Sequence, residues 1–247
     1  MNDELAFGEL LLSEKKSKIP YILLYAVIAV LVVLVFFYYF FGCAIVEGQS
    51  MESTLETSQR CLLIKHGFTV ERGNIVTINH PKPEKDGEML IKRVIALGGD
   101  RILFVRSQNN KNVDLYICKS GEHRFTLSTE KYVAERMNYS GTDSKFGYDV
   151  NGTIVPTTAY RSQAELESLD IDSADLDTAD KLILDGIITV PDDCIYYMGD
   201  NRNHSSDSRY YGPCKESDIT GKVIAISKKG SALEDFLNFI FSSSQAK

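Results

Sequence analysis

The chain has little of what a nucleic-acid binder or a metalloprotein needs. No basic run is long enough to grip phosphates. Its 27 Lys and Arg are outnumbered by 34 Asp and Glu, for a formal net charge of −7, a balance that argues against nucleic acid as a partner. Cys43, Cys61, Cys118, Cys194 and Cys214 are widely spaced with no C-x-x-C pair, which leaves a zinc site unsupported. Their pairing cannot be read from spacing, and scattered core thiols account for them at least as well as disulfides. His66, His80, His123 and His204 show no ligand spacing. The acidic stretch Ala164–Lys181 lacks the central glycine and closing glutamate of a calcium loop and reads as a solvated surface helix. Tryptophan is absent, while Tyr (13) and Phe (12) supply the aromatic residues.

What the chain does have begins with Tyr21–Phe41, an uncharged apolar run. At 1.5 Å per residue such a run makes a helix of roughly 31 Å, about one hydrocarbon core. It is too long for the apolar region of a cleaved signal peptide. Gly42-Cys43 resembles a lipoprotein junction, a reading disfavoured by the run's length and its aromatic end at Phe36–Phe41. Lys15, Lys16 and Lys18 precede the run, and Glu47, Glu52 and Glu56 follow it. The positive-inside rule therefore predicts a single-pass cell-membrane protein with a cytoplasmic N-terminus and the remainder outside.

Beyond the span, strand-like runs rich in Val, Ile and Tyr alternate with turn residues: Cys61–Lys65, Asn74–Asn79, Met89–Ala96, Ile102–Val105, Ile187–Val190, Cys194–Met198 and Lys222–Ser227. The expected architecture is a mainly β domain of antiparallel sheets plus one N-terminal transmembrane helix. The expected organisation is a tail (1–19), an anchor (20–42), a first core half (43–106), an inserted polar subdomain (107–185), a second core half (186–230) and an amphipathic tail (231–247). In that tail Leu233, Phe236, Leu237 and Ile240 share one helical face, suited to core packing or a membrane surface.

Three segments carry chemistry. Gly48-Gln49-Ser50-Met51 offers a serine at a turn soon after the span. At most about 3.6 Å per residue, the chain carries Ser50 no more than roughly 32 Å from Phe41. Leu90–Ile95 offers Lys92 and Arg93 on opposite faces of a strand. The pattern alone does not say which is buried, but lysine is the one that can give up its proton. At an ordinary pKa only about one lysine in 2,500 is neutral at pH 7, and burial raises that fraction. An exposed strand lysine and an ordinary turn serine remain the plain readings of each segment alone. The third segment, Tyr196–Gly212, crowds Gly, Asp, Asn, Ser and His behind an apolar strand, a composition able to orient a buried lysine.

Taken in order, Gly-Gln-Ser-Met-Glu-Ser-Thr-Leu (48–55), Arg-Gly-Asn-Ile-Val (72–76), Ile-Lys-Arg-Val-Ile-Ala-Leu-Gly-Gly-Asp (91–100) and Gly-Asp-Asn-Arg-Asn-His-Ser-Ser-Asp-Ser-Arg (199–209) resemble the motifs of the bacterial type I signal peptidases. The resemblance spans 48–212, with the insertion largely unmatched. It implies a membrane-bound Ser-Lys endopeptidase cutting signal peptides from exported preproteins after small residues, with no metal or organic cofactor, working as a monomer against membrane lipid.

The resemblance also implies roles. Ser50 would be the nucleophile and Lys92 the general base. Ser205 would orient the Lys92 amine, Asp207 and Arg209 would support it as an ion pair, and Gly199 would let the backbone pass close to the lysine. Met51 would line the site, and the Ser50 N–H would help hold the oxyanion. Departures are Gly48 where some members carry Ser, Ser53 and Gly98 where Pro is common, and Asn74 where Asp is common. Two rivals stand beside this reading: a related Ser-Lys protease with one dedicated substrate, and an inactive membrane-tethered binding domain.

Overall fold

The computed structural model describes residues 18–81, 88–107, 112–135, 137–138, 149–150, 153–154 and 181–241. The expected acidic helix lies outside these residues except for Lys181. The chain divides into two compact units, Met1–Phe40 and Phe41–Lys247. The described part of the first is essentially one helix, α1 (Ile19–Phe40), with no buried side chain. A helix apolar all round with none of its side chains buried fits a lipid-facing segment.

The second unit is built of antiparallel strands. In chain order these are β1 (Phe41–Ile45), β2 (Arg60–Ile64), β3 (Ile75–Asn79), β4 (Met89–Leu97), β5 (Arg101–Ser107), β6 (Asn112–Cys118), β7 (Thr126–Leu127), β8 (Met137–Asn138), β9 (Asp149–Val150), β10 (Thr153–Ile154), β11 (Lys181–Thr189), β12 (Cys194–Met198), β13 (Cys214–Lys215) and β14 (Ile219–Ile226). Two short helices, α2 (Ser208–Tyr211) and α3 (Ala232–Phe241), follow β12 and β14. A seven-stranded sheet runs β1-β2-β14-β3-β4-β12-β13, and a second runs β11-β5-β6-β7 with β8 on β6. Ile95, Ala96, Tyr196 and Met198 of the first pack with Ile102, Phe104 and Leu115 of the second. Each fully buried side chain of this size contributes about 1.5–3 kcal/mol.

All seven strands expected from the sequence are present. Two additions have physical reasons. β1 starts at Phe41, the last residue of the apolar run, because Phe41 opens a ladder on Ile64 and so leaves the helix one residue early. β6 lies in the stretch expected to be irregular. Its Val113 and Leu115 alternate with polar residues and point into the core, and it pairs with β5 along most of its length. The face of α3 is also turned from the expected one. Leu237 and Phe241 are buried, whereas Phe236 is 44% exposed.

β4 is the strand that positions the site. It lies between β3 and β12 with Val76 opposite Lys92 and Ile75 opposite Arg93. Both of its faces are covered, so every residue from Lys92 to Ala96 is buried. The question left open by the alternation therefore resolves to burial of both cations.

Candidate active site

Ser50 stands on a turn closed at its base by Val46 N–H donating to Gln59 O (2.9 Å) and Ser58 N–H donating to Val46 O (2.8 Å). Gly48 enters this turn at φ +80°, a conformation that favours glycine and would strain a side chain placed there. Met51 and Leu55 anchor the turn from below, buried with Ala44, Cys61 and Leu63. Met51 thus acts under the turn and is not among the residues lining the described cleft.

Lys92 is 3% exposed, and its Nζ lies 2.8 Å from Ser50 Oγ and 3.0 Å from its own strand's Ile91 O. Burial pushes the Lys92 pKa down, and the nearby carboxylates of Asp207 and Asp200 pull it only part of the way back. The pair opens on a cleft of about 740 Å³ whose walls include Ala44, Ile45, Met89, Leu90 and Phe241.

The segment after β12 wraps this pair. Asn201 N–H donates to Ser50 O at 3.0 Å. Gly199 sits so close to Ser50 O and to the Ser205 side chain that a Cβ there would collide with both, so only glycine fits. Asp207 caps α2 and is fully buried. Arg209 Nε and Nη2 each donate to it at 2.8 Å, and the Gly199 N–H donates at 3.0 Å. Burial pushes the Asp207 carboxyl up, but Arg209 and its hydrogen bonds outweigh that and hold it below the usual carboxylate range. Ser205 Oγ is buried beside these groups, and its hydroxyl is one of the influences that lower the Asp207 pKa. No hydrogen bond joins it to Lys92 here, whose Nζ is engaged by Ser50 and Ile91.

Several residues of the site carried no assignment in the sequence. Arg93 Nε and Nη2 grip Asp200 at 2.8 and 2.6 Å, with Nη1 on Gly73 O at 2.7 Å. Arg202 is held by Glu130 at 2.5 Å and by Gly199 O at 3.1 Å. The crowding of opposite charges around 199–209 was the only signal for Asp200 and Arg202. Nothing in the local sequence pointed to Glu130. The departures from the family pattern also find causes. Ser53 adopts φ +80°, which proline cannot reach. Gly98 packs against the Asp192 backbone where a Cβ has no room. Asn74 Oδ1 accepts from Glu71 N–H at 2.9 Å, as an aspartate there could.

Comparison with known proteins agrees with the motifs. The family model described as signal peptidase, peptidase S26, matches residues 19–227. Signal peptidase I of Streptococcus pneumoniae is 30% identical over 185 residues, covering 72% of this chain and 78% of that protein. Signal peptidase I of Bacillus amyloliquefaciens is 28% identical over 202 residues, covering 79% and 82%. A crystal structure of a signal peptidase I from Enterococcus faecalis aligns with 65% of this chain and all of that one at 22% identity, with a TM-score of 0.34. With the family model matched along most of its length, the chain belongs to the bacterial type I signal peptidases, a family of serine endopeptidases.

Proposed function

We propose that this protein removes signal peptides from exported preproteins at the outer face of a membrane, anchored by α1 with its N-terminus in the cytoplasm, and that Ser50 and Lys92 carry out the cleavage. The observation that carries the reading is the buried Lys92 Nζ at 2.8 Å from Ser50 Oγ, on the wall of the cleft. The relatives named above are signal peptidases, which supplies the substrate class.

The chemistry follows from these groups. Neutral Lys92 accepts the Ser50 hydroxyl proton as Oγ attacks the scissile carbonyl. The Ser50 N–H would donate to the developing oxyanion. As the tetrahedral species collapses, the C–N bond breaks and the lysine returns its proton to the leaving amine, which departs as the new N-terminus of the mature protein. The signal peptide stays on Ser50 as an ester. Lys92, neutral again, takes a proton from water, hydroxide adds to the ester, and Ser50 leaves with that proton. During the ester stage Lys92 has lost its serine partner, and the buried Ser205 hydroxyl would then orient the amine. Asp207 and Arg209 fix the loop that carries Ser205.

Cleavage of a secretory preprotein in detergent–phospholipid micelles tests this, with native protein beside Ser50→Ala and Lys92→Ala. Cutting at the signal junction by the native protein alone is expected. Activity surviving in Lys92→Ala would move the base elsewhere, and cleavage of only one among many preproteins would favour a dedicated protease.

A further inference from the structure

Ser53 is an exposed, non-glycine residue held at φ +80°, three residues beyond the nucleophile. Such a conformation persists only where the surroundings hold it. What holds it comes from far along the chain: Ser53 Oγ donates to Tyr132 O at 2.5 Å. A solvent-exposed bond of this kind is weak by itself, but Tyr132 is not free to move. The Arg93 guanidinium lies over its ring, 3.9 Å from the centroid, and its hydroxyl donates to Glu130 Oε1 at 2.7 Å. The other Glu130 oxygen pairs with Arg202, whose side chain is 2% exposed, and Arg202 reaches Gly199 O. Gly199 in turn lies against Ser50 O, which Asn201 N–H also holds. On the opposite side Arg93 Nη2 touches Thr54 Oγ1 at 3.3 Å.

These contacts form a closed circuit: nucleophile turn, Tyr132, Glu130, Arg202, Gly199, and back to the carbonyl of Ser50. We propose that Glu130–Tyr132 is a positioning strut for Ser50. It lies inside the segment expected to be an insertion, touches neither Ser50 nor Lys92 directly, and fixes the outer tip of the turn on which Ser50 rides. The tip of this turn is held by a hydroxyl tied to a distant carbonyl. Nucleophile and carbonyl must meet within a few tenths of an ångström, so release of the tip lowers turnover without changing how the cleft binds its substrate.

The strut rests on the Ser50 assignment above, and the experiment separates the two. Ser53→Gly removes the hydroxyl and relieves the positive φ at once, so a structural role for that hydroxyl is not confounded with misfolding. With a preprotein substrate and native protein as control, Ser53→Gly is expected to keep or raise Tm while kcat falls about tenfold. KM stays within about twofold and the pH midpoint of kcat is unchanged. Tyr132→Ala, which keeps the carbonyl but loses the ring and hydroxyl, should lower kcat alike, with Tm falling as the stack under Arg93 is lost, and Tyr132→Phe, which keeps that stack but cuts the bond to Glu130, should lose part of the rate. A native-like kcat in Ser53→Gly overturns the strut, and so does a pH midpoint that moves toward the ordinary lysine value, since that marks a flooded site and not a displaced serine. If the native protein cuts no preprotein, the functional reading fails instead. Hydrogen–deuterium exchange across residues 49–57 then decides the strut alone: faster exchange in Ser53→Gly and Tyr132→Ala supports it, and unchanged exchange overturns it.

Discussion

Lys92 and Arg93 are adjacent on one strand, yet the pockets on the two faces of that strand treat positive charge in opposite ways. Arg93 enters a pocket with its own counter-ion. Asp200 meets the guanidinium with two parallel hydrogen bonds, Gly73 O takes a third, and Tyr132 covers the flat face. Lys92 enters a pocket where, among the described residues, its hydrogen-bond partners are neutral oxygens, Ser50 Oγ and Ile91 O. The carboxylate of Asp207 acts on it from farther off and is occupied by Arg209. Two cations that look alike in the sequence are thus divided by whether a carboxylate is in reach. The paired one stays charged and braces the fold. The unpaired one is pushed toward neutrality, which is the state a general base requires.

The sharpest test is to replace each by methionine. Lys92→Met is expected to lower cleavage by about 10³-fold or more while stabilising the protein. The sign follows from the lowered folded pKa: the native protein binds fewer protons than the unfolded chain between that value and the ordinary lysine value, so native stability rises with pH through this window. The gain from Lys92→Met, read as Tm, should therefore be larger at pH 6 than at pH 10. Arg93→Met should do the reverse and destabilise by about 3–5 kcal/mol, because it leaves Asp200 buried without its partner. If both variants lose stability equally at every pH, the two pockets are not different in kind.

That contrast was only partly legible in the sequence. The strands were, because Val, Ile and Tyr runs such as Met89–Leu97 and Cys194–Met198 are bounded by turn residues. Alternation told which residues of β4 share a face but not what each face meets, since Asp200 is 107 positions beyond Arg93. Ser50 and Lys92 came together as a pair only through the order of motifs; each alone had an ordinary reading. β1 was hidden because it continues an apolar run without a break. Tyr132 and Glu130 were invisible, since their contacts with Ser53, Arg93 and Arg202 join residues distant in the chain and leave no local pattern.

A smaller effect is expected from the two carboxylates. Both raise the Lys92 pKa, Asp207 more than Asp200. Activity should rise with pH through a midpoint below that of an ordinary lysine, and Asp207→Asn should move that midpoint to lower pH. Asp200→Asn should move it in the same direction by less. Both variants leave an arginine short of its partner, so kcat profiles are measured well below each variant's Tm. The Asp207 carboxyl adds its own signature. Held below its usual range, it contributes stability that is complete above the unfolded value near 4 and is lost as pH falls through the folded value. Acid unfolding of the native protein should therefore be blunted in Asp207→Asn. A midpoint moving to higher pH in Asp207→Asn would mean that this carboxylate does not act on Lys92 as a negative charge.

The smallest effect should come from Thr54→Val. Thr54 Oγ1 gives Arg93 its longest contact, 3.3 Å, beside the two bonds to Asp200 and the one to Gly73. An arginine so well supplied loses little when one weak acceptor goes, and valine keeps the shape of threonine. The expected cost is about 0.5–1 kcal/mol in denaturant unfolding, with the pH midpoint of cleavage unmoved because Lys92 is on the other face of the strand. The comparable loss on the lysine side is far larger, since among the described residues Lys92 Nζ bonds to Ser50 Oγ and Ile91 O alone. A shift of the midpoint in Thr54→Val would join the two faces electrically and make Arg93 a participant in the chemistry as well as a brace.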